Sequence, residues 1–440
     1  MSTTSLDALA PARVSTSSSL YRMIWKWHFF AALYVLPFMA LLSITGGLYL
    51  FDDSIEEVLY KDRLNVAVQE SRLPLETQLA AVTSLEDKIR IRSVNANKTP
   101  GRTTLIEYQG ADKVRSYAWV NPYTAEVLHT QARDNTLMRQ VRKLHGELLM
   151  GKFGTKLVEL AAHWAIVLFV TGLYLWWPRG NRSWTQALTL PRGKGRSWWK
   201  QTHLFTGFLA SLLIIPILIT GLPWTDVWGG GLDRVQEMTN QKSPSRAFGG
   251  APILSSSSEG ETISYEQVID IATQAGAPGP YSIRPPRNGE GAFFVSSDIL
   301  SRSERVELHI DQYNGAILNR TGFEDYPAVA AAVSLGIAFH QGELYGWLNK
   351  VQNTLAALLG FTLAISGFVA WWIRRPKGTL GVPPAPASKT VGTGMLIVVV
   401  VLALFLPLMG ASLLLVLLLD KLLFQRFGWL QAPEPPVSDH

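Results

Sequence analysis

Five histidines fall inside or beside long apolar stretches of this 440-residue chain: His28, His145, His163, His203 and His340. An ionisable side chain at membrane depth is costly and marks a functional position by default. Imidazole is also the usual axial ligand of haem iron where no thiolate is at hand. Here none is, because the chain has no cysteine. That excludes disulfides, thiolate-bound zinc, cysteine-ligated iron–sulfur clusters and covalently attached c-type haem. A redox or metal centre must therefore rest on His or carboxylate ligands, or on a non-covalent cofactor. The other histidines carry less. His129 and His309 lie beside expected strands and are expected at the surface, and His440 belongs to the tail.

The elements that must position these imidazoles are membrane spans. Hydrophobic residues make up 48% of the chain and are concentrated in blocks too long and pure for soluble cores. Four blocks meet the ~20-residue requirement for a spanning helix: roughly Trp25 to Phe51, Thr155 to Trp177, Trp199 to Trp224 and Val351 to Ile373. The first is too long for a cleaved signal and lacks a small-residue cleavage site, so it reads as a retained span. A fifth apolar region, from Met395 to about Leu423, is interrupted by Pro407 and Gly410. It reads as a hairpin of two short helices, or as one kinked helix.

The net charge of +6 does not form a nucleic-acid stripe. Basic residues instead flank the apolar blocks: Arg13 and Arg22 before the first, Arg179 through Lys200 between the second and third, Arg374, Arg375, Lys377 and Lys389 after the fourth. By the positive-inside rule these segments are cytoplasmic, and the two long polar segments face the other side. The expected order is a cytoplasmic tail (1–24), a first span (25–51), a polar module (52–143), and an interfacial segment with the second span (144–177). A basic loop (178–198), a third span (199–225), a second polar module (226–338) and an interfacial segment with the fourth span (339–373) follow. A basic loop (374–393), the C-terminal apolar region (394–424) and a tail (425–440) complete it. Many of the fifteen Trp, including Trp176-Trp177 and Trp371-Trp372, sit at block ends, where they read as interface anchors.

The chain also repeats itself. Shifting by 195 brings His145 onto His340, Gly172 onto Gly367 and Trp176-Trp177 onto Trp371-Trp372. Shifting by 175 brings His28 onto His203 and Thr45-Gly46 onto Thr220-Gly221. Shifting by 190 aligns Glu76 with Glu266 and Tyr123 with Tyr313 in the polar modules. Each module reads as a short helix followed by strands: Tyr265 to Ala275 is helical, and Ala292 to Ser296 and Val306 to Ile310 are strands. Asp311 to Gly315 is a turn, matched by Asn121 to Thr124. The expected fold is thus an α-helical membrane bundle built by duplication, with two outer α+β modules.

Duplication gives the histidines a geometry. Two repeats related by a pseudo-two-fold along the membrane normal carry equivalent residues at equal depth. His28 and His203 can meet near the cytoplasmic end and share one haem, with Ala31, Ala32 and Gly207 leaving room for the macrocycle. His145 and His340 form the corresponding outer pair. A straight helix from His145 to Trp177 would run ~48 Å, so these two belong on interfacial segments that turn near Gly151, Gly154 and Gly346. His163 has Leu358 as its repeat partner. It can replace one outer ligand or serve a substrate proton. Gly46, Gly172, Gly221 and Gly367 read as permitting close helix packing in preference to cofactor contact. No nucleotide fingerprint, P-loop or nucleophile elbow is present.

Several of these residues resemble the PepSY-associated transmembrane-helix family, which includes iron-regulated inner-membrane proteins and the di-haem ferric-siderophore (ferrioxamine-type) reductases. The matching pieces are Leu144-His145, the run Thr171 to Arg179, and Phe339 to Glu343, with Asp311 to Leu318 as the clearest PepSY-like element. The resemblance implies an inner-membrane reductase with haem b, about two per chain, axially held by His28, His203 and two of His145, His163 and His340. It implies a ferric siderophore as periplasmic substrate and Fe(II) release during iron uptake. With no flavin or nicotinamide domain on the chain, the donor is a quinol or a separate reductase. The rival readings are a transporter of haem or iron chelate, and a non-catalytic module that binds a partner protein.

Overall fold

The computed structural model describes residues 16–178, 183–244, 253–255, 260–375, 393–419 and 421–422. The side chains expected to set the topology at Arg13, Arg179, Arg182, Lys377 and Lys389, and the tail residue His440, lie outside the described residues. In chain order, α1 (Thr16–Tyr49), α2 (Asp52–Leu59), α3 (Lys61–Leu64) and α4 (Leu75–Thr83) come first. Strands β1 (Arg90–Ala96), β2 (Thr104–Gln109), β3 (Arg115–Val120) and β4 (Val127–Ala132) follow. Then come α5 (Leu137–Glu147), α6 (Gly151–Trp176), α7 (Trp184–Ala187), α8 (Gly195–Gly221), α9 (Val227–Met238) and α10 (Tyr265–Gln274). Strands β5 (Tyr281–Arg284), β6 (Ala292–Ser297), β7 (Glu307–Asp311) and β8 (Ile317–Thr321) precede α11 (Ala328–Gln341), α12 (Trp347–Arg374), α13 (Thr393–Phe405) and α14 (Pro407–Leu419). The chain forms two compact units, Met1–Ala40 with Leu157–Ile215 and Leu359–His440, and Leu41–Lys156 with Pro216–Leu358.

Among the described residues, four helical stretches are long and apolar enough to cross a membrane: Ile24–Tyr49, Gly151–Trp176, Gly195–Trp224 and Trp347–Arg374. A 26-residue helix is ~39 Å long, enough for the ~30 Å hydrocarbon core. Pro37 and Pro216 sit inside such helices, as spans tolerate when neighbouring groups take up the freed carbonyls.

In the first unit the helices are tied by the few polar groups they carry. Tyr34 donates to the Leu157 carbonyl at 3.0 Å, and Trp164 Nε1 donates to Ser412 Oγ at 2.9 Å. Trp176 stacks on Phe208 with centroids 4.5 Å apart. The C-terminal apolar region is two 13-residue helices, α13 and α14, bent by 117°. Pro407 opens α14 at the first helical position, where its missing N–H costs nothing. Gly410 stands so close to the Ala403 carbonyl that a Cβ would lie 2.3 Å from its oxygen.

The second unit holds the strands. The two polar segments do not make separate sheets. They join in one eight-stranded antiparallel sheet of order β4-β3-β2-β1-β5-β6-β7-β8. The seam is β1 against β5, with Val94 opposite Ile283 and Ala96 opposite Tyr281. An exposed strand edge is a liability, and here β1 of the first polar segment and β5 of the second cover one another. One face carries the core: Val94, Ile106, Ala118, Ile283, Val295 and Leu308 pack under Leu79 and Val82 of α4 and Val268 and Ala272 of α10. The helices are locked at their N-termini by an exchange. Glu266 accepts from the Leu75 N–H and Glu76 accepts from the Tyr265 N–H, both at 2.7 Å. Each carboxylate thus satisfies an orphan donor at the positive end of the other helix.

The opposite face corrects one expectation. His309 is not a surface residue: it is buried, 3% exposed, against Phe294 with centroids 5.1 Å apart. Strand alternation puts it on the face away from α4 and α10, and that face is covered at this point. His129 is half-buried beside Trp119 at 5.7 Å.

Candidate functional site

His28, His145, His203 and His340 are each set against one glycine. In the first unit, a Cβ on Gly172 would lie 3.1 Å from His28 Cε1, and one on Gly367 would lie 3.1 Å from His203 Cε1. In the second unit, a Cβ on Gly46 would lie 3.1 Å from His145 Cε1, and one on Gly221 would lie 2.9 Å from His340 Cε1. All four glycines follow a hydroxyl residue, in the dipeptides Thr45-Gly46, Thr171-Gly172, Thr220-Gly221 and Ser366-Gly367. The missing side chain lets the ring press onto the helix, and the hydroxyl turn supplies a hydrogen-bond partner beside it.

That partner fixes the tautomer. His28 Nδ1 lies 2.9 Å from Thr171 Oγ1, and His145 Nδ1 lies 2.9 Å from Thr45 Oγ1. The Thr171 hydroxyl already donates to the Val167 carbonyl at 2.7 Å, and the Thr45 hydroxyl to the Leu41 carbonyl at 2.8 Å. Each threonine oxygen is left as acceptor, so the imidazole donates through Nδ1–H. His340 Nδ1 donates to the Ile217 carbonyl, one turn before Gly221, at 2.9 Å. His203 faces the equivalent Leu363 carbonyl, though its Nδ1 falls short of a formed hydrogen bond. In His28, His145 and His340 the proton on Nδ1 leaves the lone pair on Nε2. The four Nε2 atoms take no hydrogen bond from any described residue, and the four rings are only half-buried.

The imidazoles come in two pairs. His28 and His203 lie close enough to feel each other's charge, and so do His145 and His340. No cluster of three or more His, Asp or Glu side chains forms a metal cage among the described residues. The donors are imidazole nitrogens, with Nδ1 of His28, His145 and His340 oriented by a neighbouring oxygen. That donor chemistry is the kind by which protein histidines ligate a metal centre axially, and it is compatible with haem iron.

The elements explain the placement. His145 and His340 sit in the last turns of α5 and α11, each a separate helix from the span that follows. The breaks fall at Leu148 to Met150 and at Gly342 to Gly346. Leu148 and Leu149 take φ of 52° and 58°, and Gly342 and Gly346 take 78° and 68°. The end of α11 is further held by two buried asparagines of α12. Asn349 donates to the Phe339 carbonyl at 3.2 Å, and Asn353 donates to the carbonyls of Phe339 and His340 at 2.7 and 3.1 Å. Trp224 meets the His340 ring edge-on at 5.2 Å. Neither asparagine stood out in the sequence. The serine and threonines before the glycines could have been found, because the 175 and 195 shifts superpose them.

His163 has a different neighbour. It is fully buried in α6, and its Nε2 lies 3.7 Å from the equally buried Glu159 carboxylate one turn earlier. It has no glycine against its ring among the described residues.

Long apolar helices carrying paired imidazoles, with a chain-spanning antiparallel sheet between them in sequence, define a polytopic membrane protein. Residues 25–374 match the family model of the PepSY-associated TM region, and the chain belongs to that family. A comparison with curated proteins gave no match.

Proposed function

We propose that the chain is an inner-membrane reductase that binds b-type haem and passes electrons to a ferric siderophore in the periplasm, releasing Fe(II) during iron uptake. Carrying this reading is one observation: four histidines, each seated on a hydroxyl–glycine dipeptide, leave Nε2 open in two pairs. The duplication read from the sequence accounts for it, since each feature recurs at the same shift. His28 and His203 would hold the haem nearer the cytoplasm, and His145 and His340 the one nearer the periplasm. The bound groups would supply one-electron chemistry that no side chain here can. The chain's own residues orient the ligands: Thr171, Thr45 and the Ile217 carbonyl hold the Nδ1 protons, and Asn349 and Asn353 hold the end of α11. Hard-oxygen chelators bind Fe(III) tightly and Fe(II) weakly, so one electron frees the metal without breaking the chelator. The donor would be a quinol or a separate reductase, and the basic flanks of the spans support a cytoplasmic N-terminus.

The test is the visible spectrum of the detergent-purified chain, oxidised and dithionite-reduced, with pyridine haemochrome quantitation. The expected result is a bis-His b-type α-band, at one haem for each histidine pair. His28→Ala and His145→Ala should each remove about half of the haem. A colourless protein from haem-replete cells would sink the reading in favour of a partner-binding module.

A further inference from the structure

The sheet face opposite α4 and α10 bears a pocket of about 340 Å³ whose lining includes six arginines, Arg90, Arg92, Arg115, Arg133, Arg284 and Arg287. Among the described residues, the acidic residue in that lining is Glu107. We propose that this pocket binds a small oxygen-rich polyanion of the polycarboxylate class. Taken with the reductase reading above, on which this step rests, the substrate class is an anionic ferric chelate rather than a neutral or cationic one.

The pocket is built by the fold. It crosses four neighbouring strands, β3, β2, β1 and β5, and so straddles the seam where the two polar segments join. Alternation along β2, β3 and β5 turns Glu107, Arg115, Ser282 and Arg284 away from the core that holds Ile106, Ala118 and Ile283. On β1 the pairing slips between Ile91 and Ser93, leaving Arg92 as the extra residue. Such bulges re-aim side chains beside functional sites. Here it adds Arg92 to a face that Ser93 and Glu107 already share.

The charges do not cancel within the pocket. Glu107 lies 3.6 Å from both Arg115 and Arg133, and Tyr117 accepts from Arg133 Nε at 3.1 Å. One carboxylate is thus shared by two guanidinium groups, which it holds in place. Burial first, and then the charges of Arg115, Arg90 and Arg287, push the Arg92 guanidinium below its ordinary pKa. Like charges gathered in a concavity raise the local affinity for anions. Guanidinium forks match carboxylate oxygens two bonds at a time. The volume suits a small ligand, and the lining also includes Ser282 and Ser93, whose hydroxyl donates to Glu107 at 3.5 Å.

Gallium(III) chelates separate binding from reduction, because gallium is not reduced under the conditions that reduce iron. Isothermal titration of the full chain in detergent with gallium citrate should show saturable binding that weakens steeply with salt. Gallium desferrioxamine, which lacks the carboxylates, should not bind at this site. Arg92→Gln and the exposed-loop Arg287→Gln should each weaken gallium citrate by about tenfold or more, with haem content and unfolding temperature unchanged. No binding, or equal binding by both variants, would overturn the proposal. So would nanodiscs with anionic phospholipid abolishing binding while neutral ones do not, since the pocket would then be a lipid headgroup site. Gallium citrate binding to a chain without haem would uphold the pocket and sink the reductase reading alone.

Discussion

At Gly221 an added methyl would stand 2.9 Å from Cε1 and 3.3 Å from Nδ1 of His340. That is closer than carbon atoms pack, so in Gly221→Ala the ring must move off its hydrogen bond with the Ile217 carbonyl. Gly47 is the control, because its added methyl would meet the Ala357 methyl at an ordinary 3.6 Å. The expected outcome is an altered or lost outer-haem signal in Gly221→Ala and an unchanged spectrum in Gly47→Ala. Indistinguishable reduced spectra for the two variants would remove the glycines from the site. The sequence reading favoured helix packing over cofactor contact for these glycines. Their ring contacts were not legible because they join residues about a hundred or more positions apart, through spans whose rotation no apolar pattern specifies. A second prediction concerns the Nδ1 proton. Donation from His28 to Thr171 makes the ring a stronger donor to a metal and favours the oxidised ion. Thr171→Val should therefore raise one midpoint potential by ~20–60 mV, and Thr171→Ser should not. A redox titration in which valine and serine behave alike would count against this role.

Among elements, the breaks between α5 and α6 and between α11 and α12 were legible, because a straight helix through His145 would outrun the bilayer. Helix α10 and strands β6 and β7 also follow from local pattern, and lie within a residue or two of expectation. The β1–β5 seam was not legible. Edge pairing between segments some 190 residues apart leaves no trace in either strand's alternation. The exchange between Glu76 and Glu266 was half visible: the 190 shift aligned the two, yet nothing said that they touch. Burial, followed by the hydrogen bond and charge of Glu76, keeps the Glu266 carboxyl above its ordinary range, against the lowering effect of the Leu75 N–H. A raised folded-state pKa gives a contribution that is full at low pH and lost as pH rises through that value. Glu266→Gln keeps an acceptor for the Leu75 N–H without the charge. Its unfolding temperature, followed by intrinsic fluorescence in detergent, should therefore gain on the wild type as pH is raised from about 4 to 8. Parallel pH profiles for the two proteins would show that the pair does not titrate in the folded state.

On the scale of the whole molecule, the spans were the most legible feature. Ordered apolar blocks of 26 to 30 residues leave little choice of element, and the basic flanks set the expected direction of crossing. The absence of cysteine makes a clean test possible. Ser183→Cys falls in the basic loop between α6 and α8, and Ser303→Cys falls between β6 and β7; both positions are exposed. If the positive-inside reading holds, a membrane-impermeant maleimide added to intact spheroplasts should label Ser303→Cys and spare Ser183→Cys. Inverted vesicles should reverse the result. Labelling of both variants in spheroplasts would mean a different topology. Labelling of Ser183→Cys alone would turn the protein over. The arginine pocket would then face the cytoplasm, where a siderophore is not met during periplasmic uptake, and the proposed direction of electron flow would fail with it.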